Sequence, residues 1–193
     1  MNRITNILLL TWIVLFSMLS AQAISPGKKV ENFSLTDSRG EQHSLTDYQK
    51  KKAILLIFIS TKCPVSNAYN QRLAKLYADY AEKGVAILGI NANRNETAEM
   101  INAHAKKNGF DFPILLDKKN IIADELGAKV TPEAFLLSNQ LTLLYHGHID
   151  DSQREAQVKK TGLRDALNEV LAGKQVTDKL SKPFGCSIKR VRK

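Results

Sequence analysis

Residues 53–59 (AILLIFI) form an unbroken apolar run of strand length, and four residues beyond it stands Cys63-Pro64. A short run without polar alternation suits a strand buried on both faces, which arises where helices cover both sides of a sheet. After Pro64 the period changes. Val65, Tyr69, Leu73, Leu76, Tyr77 and Tyr80 recur at steps of three and four, which predicts an amphipathic helix closing before Gly84. Proline is well tolerated in a first helical turn, where its missing N–H would go unpaired anyway. Cys63 is thereby set where a buried strand gives way to a helix. Free N–H groups and the partial positive charge of a helix start, with Lys62 beside them, favour thiolate over thiol and point to a nucleophile. The competing reading is a buried structural cysteine.

The same alternation of patterns continues. Residues 85–90 read as a strand, and Asn93 and Asn95 as caps for a helix over 96–107 that Gly109 closes. Residues 113–116 read as a strand and 121–126 as a short helix stopped by Gly127. Strands at 134–137 and 141–145 are joined by the turn Asn139-Gln140, and a last helix covers 163–171. Upstream, Val30, Phe33 and Leu35 alternate with polar residues. A turn at 37–40 and a return at 43–45 make an N-terminal β-hairpin. Strands alternating with helices, closed by an antiparallel pair, define an α/β fold with a mixed central sheet flanked by helices.

Residues 1–23 have the pattern of a secretory signal peptide: Arg3, an apolar stretch over 7–19, and the small-x-small ending Ala21-Gln22-Ala23. The expected division is a leader (1–23), one domain (24–174) and a basic tail (175–193) holding the second cysteine, and the expected location is periplasmic or secreted. Two cysteines in 193 residues exclude a disulfide-dense mini-scaffold and a zinc ribbon. The net charge of +9 is compatible with weak attraction to acidic partners or anionic lipid headgroups through the tail. Nucleic acid is not an expected partner, because aromatic residues are not interleaved with the charges.

These residues carry a resemblance. The apolar strand, the run Ser60-Thr61-Lys62-Cys63-Pro64-Val65-Ser66 and the later Val130-Thr131-Pro132 are similar to the thioredoxin fold, a three-layer α/β sandwich. Together with the opening over 27–45 and the segment 112–117 (FPILLD), they most resemble its redoxin branch, the alkyl hydroperoxide reductase/thiol-specific antioxidant and peroxiredoxin-like proteins. The resemblance implies that Cys63 is the attacking cysteine. It implies that Pro132 is a cis-proline facing it, and that Thr131 offers its backbone to a substrate polypeptide. Ser66 stands where thioredoxin-type reductases have a second cysteine, and could donate a hydrogen bond to the thiolate. Ser60 matches the hydroxyl position of the peroxiredoxin motif, but Leu56 occupies its proline position and the peroxide-site arginine has no match. Disulfide exchange is therefore expected ahead of peroxidase chemistry. Tail cysteines resolve the reactive one in several peroxiredoxins, so the resemblance makes Cys186 a candidate resolving cysteine. A structural staple and a free thiol are its other readings.

His146 and His148 stand at alternate positions, which on a strand would put both imidazoles on one face. With Cys63 they could hold copper, so a non-enzymatic thiol or copper carrier is a third functional class, though no metal is expected. No cofactor is expected. The expected partners are protein or small-molecule disulfides and thiols, with peroxides as the alternative, and an external thiol reductant.

Overall fold

The computed structural model describes residues 24–192, so the signal-peptide pattern lies outside the described residues. In chain order the elements are β1 (Ser34–Thr36), β2 (Gln42–Ser44), β3 (Ala53–Phe58), α1 (Pro64–Ala68), α2 (Asn70–Tyr80), β4 (Val85–Asn91), α3 (Ala98–Asn108) and β5 (Ile114–Leu116). There follow α4 (Ile121–Leu126), β6 (Val130–Thr131), β7 (Glu133–Ser138), β8 (Leu143–Gly147), α5 (Gly162–Leu171) and β9 (Cys186–Ser187). The central sheet has the order β5-β4-β3-β7-β8. Strand β3 pairs parallel with β4 and antiparallel with β7, so the sheet is mixed as expected. The N-terminal hairpin forms a separate two-stranded sheet.

The unbroken apolar run is explained by its position. All six residues of β3 are fully buried. Leu55 and Ile57 point into one core with Leu73, Leu76 and Tyr80 of α2, Ile101 of α3 and Leu163 and Leu167 of α5. Ile54, Leu56 and Phe58 point into the other, with Leu45, Ile122 and Leu126 of α4, and Ile188 from the C-terminal segment. Each such side chain contributes about 1.5–3 kcal/mol of burial.

Two local expectations are corrected. The helix after Cys63 is broken at Tyr69, which takes φ −94°, ψ −4° between α1 and α2. Its ring is buried, its hydroxyl donates to Asp150 Oδ1 at 2.8 Å, and the Arg72 guanidinium lies 3.7 Å from the ring centre. Helix α3 is capped by Thr97, whose Oγ1 accepts the Met100 N–H at 3.3 Å, and not by Asn93 or Asn95. Those two lie ahead of the helix and serve other segments: Asn93 Oδ1 accepts the Lys189 N–H and the Asn95 carbonyl accepts Lys62 Nζ. Among the described residues no helix is long and apolar enough to cross a membrane.

Candidate redox site

Strand β3 delivers the chain to a tight turn before α1, and that turn is built on one buried acid. Glu96 is 7% exposed. Its Oε1 accepts the Ser60 hydroxyl at 2.5 Å, and its Oε2 accepts the Thr61 N–H at 2.7 Å and Asn91 Nδ2 at 2.8 Å. With its proton given to Glu96, the Ser60 oxygen turns its lone pairs to the N–H groups of Lys62 (3.2 Å) and Cys63 (3.1 Å). Glu96 thus fixes the backbone that carries the cysteine. Burial alone would raise its pKa, but the hydrogen bonds from Ser60, Thr61 and Asn91 outweigh burial and hold it below its ordinary value of 4.5. A carboxyl depressed on folding stabilises the native state fully above its unfolded pKa and loses that contribution as pH falls through the folded pKa. Glu96→Gln is therefore expected to flatten the fall of stability below about pH 4.5. Urea denaturation at pH 3, 4 and 6 measures it, and equal slopes in both proteins would refute it.

Cys63 caps α1 from an extended conformation, and its sulfur accepts the Ser66 backbone N–H at 3.3 Å. The Ser66 hydroxyl faces elsewhere and accepts the Ser60 N–H at 3.1 Å. Across the site the Thr131–Pro132 peptide is cis, and the Thr131 carbonyl oxygen lies 3.2 Å from Cys63 Sγ. Directly after it, Glu133 is buried and orders the approach to Thr131: its Oε2 accepts the N–H groups of Lys129 (2.7 Å) and Val130 (3.0 Å), and its Oε1 meets His146 Nε2 at 2.6 Å. Removing one partner of so buried a pair typically leaves the other uncompensated.

Cys186 is disulfide-bonded to Cys63, with 5.8 Å between their Cα atoms and a sequence separation of 123. It arrives on β9, antiparallel to β6, opposite Thr131. The segment that brings it is seated along its length. Lys179 and Ser181 bond the backbone of His146, Phe184 packs beside Tyr69, and Ile188 is buried. Lys189 bonds Asn93 and Arg94, Arg190 pairs with Asp124, and the Val191 N–H donates to Asn120 Oδ1 at 2.7 Å. Gly185 lies so close that a Cβ there would overlap the Thr131 carbonyl, which explains the glycine before the cysteine. The end of the chain is a strap laid over the site.

Cys63, Cys186, Ser60, Ser66, Thr131 and Pro132 are thus brought together. His146 and His148 are not gathered with Cys63. The first is engaged by Glu133 and stacked on Phe135, and the second lies past the end of β8. Among the described residues the three-ligand cluster a metal could use is Asp37, Glu41 and His43, which includes neither cysteine. Glu96 and Glu133 escaped the sequence reading. The signal available for Glu133 was a charged residue opening an otherwise apolar strand directly after proline.

A five-stranded mixed sheet, a cysteine at a strand-to-helix junction and a cis-proline opposite it define a thioredoxin-like α/β protein of the redoxin kind. The chain belongs to the AhpC/TSA family, whose pattern matches residues 26–146. It is similar in structure to a hypothetical protein of Sinorhizobium meliloti 1021, with TM-score 0.81 and 34% identity over 89% of this chain and 98% of that one. An uncharacterised conserved protein of Geobacillus kaustophilus is similar with TM-score 0.81 and 30% identity over 87% and 93% of the two chains. Among curated proteins, the thiol-disulfide oxidoreductase ResA of Halalkalibacterium halodurans is 32% identical over 123 residues, 64% of this chain and 65% of the relative. The match thus spans slightly less than two thirds of that relative's length.

Proposed function

We propose that the protein is an exported thiol–disulfide oxidoreductase in which Cys63 is the nucleophile and Cys186 the resolving cysteine. The observation that carries this reading is the disulfide between them, set beside cis-Pro132 with the tail strand paired to Thr131. In the proposed reaction the Cys63 thiolate attacks one sulfur of a substrate disulfide and expels the other as a thiolate. The Cys186 thiolate then attacks Cys63 Sγ and expels the remaining substrate thiolate, closing the internal disulfide. Two electrons pass from the protein dithiol to the substrate, and an external thiol restores the dithiol. The Ser66 N–H points at the Cys63 sulfur from the start of α1, and the Thr131 carbonyl oxygen lies beside it. The backbone of Thr131, beside cis-Pro132, is the proposed docking edge for an extended substrate chain, which takes the place of β9 there. Export is supported by the leader pattern over 1–23. Exchange is preferred to peroxidase chemistry because Leu56 replaces the motif proline, and the name of the ResA relatives agrees.

Mass spectrometry of single-cysteine chains tests the proposal. With excess hydroxyethyl disulfide, Cys186→Ser is expected to accumulate one stable adduct on Cys63, while the native chain passes on to the internal disulfide and holds none. A native chain that keeps adducts on both cysteines would overturn the resolving role.

A further inference from the structure

Both cysteines of the disulfide line one cleft of about 170 Å³, whose lining also includes Lys62, Asn93, Ser187 and Lys189. In the oxidised chain the Thr131 edge is taken by the tail strand, and this cleft offers an approach to the redox pair. Its chemistry is that of an anion site. Lys62 and Lys189 are exposed ammonium groups at its margin. The acid that lines it, Glu96, has both oxygens engaged by Ser60, Thr61 and Asn91. Asn93 is 7% exposed and its Oδ1 accepts the Lys189 N–H, while its Nδ2 has no partner among the described residues. A buried donor without an acceptor is costly, and this one belongs to a residue that lines the cleft.

We infer that the cleft receives a low-molecular-weight thiol bearing a carboxylate, which Lys62 and Lys189 hold while its sulfur reduces the disulfide. The inference rests on the reading of Cys63 and Cys186 as an exchanging pair. Cys63 is only 4% exposed and Cys186 is partly exposed, so attack falls on Cys186. The incoming thiolate bonds to Cys186 Sγ, the bond between the protein sulfurs breaks, and Cys63 leaves as thiolate. A second molecule of the same thiol attacks the mixed disulfide, releases the small disulfide and leaves Cys186 reduced. Two thiols are oxidised and one protein disulfide is reduced, with their two protons passing to the protein thiols.

The test compares 3-mercaptopropionate, 2-mercaptoethanol and cysteamine as reductants of the oxidised full-length protein, each rate divided by that thiol's rate on a neutral small disulfide. At low ionic strength the carboxylate thiol is expected to exceed cysteamine at least tenfold in normalised rate. That ratio should fall towards one in the Lys62→Gln, Lys189→Gln double variant and in high salt. A ratio of one or less in the native chain, or a ratio unmoved in the double variant, overturns the anion site while leaving the exchange reaction standing. Failure of all three thiols to open a Cys63–Cys186 disulfide, read by mass mapping, overturns the exchange reaction and this inference with it.

Discussion

Cys186→Ser is expected to lower the melting temperature of the oxidised protein by about 10–20 °C. The disulfide closes a loop of 123 residues. In the chain-entropy account a cross-link of that span removes about 5 kcal/mol of freedom from the unfolded state. For a domain of this size each kcal/mol moves the midpoint by about 2–4 °C. The native contacts of the strap remain in the variant, so the loss falls on the unfolded side of the equilibrium. Calorimetry of the oxidised native chain, the reduced native chain and the variant measures the difference. The last two should melt together, well below the first. A variant melting within 2 °C of the oxidised protein would mean that the cross-link contributes little to folding stability.

Cys63→Ser is expected to reduce catalysed disulfide exchange by on the order of 10³-fold or more, to the level of the uncatalysed thiol reaction, as removing a nucleophile commonly does. The serine hydroxyl cannot form the mixed disulfide, and Cys186 alone has no partner with which to close the cycle. The fold should tolerate the change, because a serine can still accept the Ser66 N–H at the start of α1. The measurement is turnover of a small disulfide with an excess of thiol reductant. The reduced native chain serves as the stability control, since it too lacks the cross-link. Turnover within tenfold of the native rate would remove Cys63 from the reaction.

How far the sequence discloses such a site depends on whether the contact repeats along the chain. β3 was legible because burial on two faces leaves a run with no polar residue, and Cys63-Pro64 marked its exit into a helix. The cis peptide at Pro132 was legible by resemblance. The pairing of β6 with β9 was not, because two-residue strands have no period to read. The seating of the tail was hidden for a related reason. Its basic residues look like a solvated run, yet Arg190 and the backbone of Lys189 and Val191 find partners on distant loops. Glu96 was hidden because a glutamate near the start of a helix ordinarily faces water. Its inward turn is set by Ser60, 36 residues away, and by Asn91. The shared face read for the two histidines assumed that both lie on one strand, and His148 lies past the end of β8.

The order of Cys63 and Cys186 along the chain also orders events during synthesis. A chain made from its N-terminus presents Cys63 long before Cys186 exists. The ledge that receives the second cysteine needs β6, and the hold on the strap needs Asn93, Asn120 and Asp124, all of which precede it. The native cross-link can therefore close only after β6, Asn93, Asn120 and Asp124 have been made, so the covalent tie is added later than the segments that seat the strap.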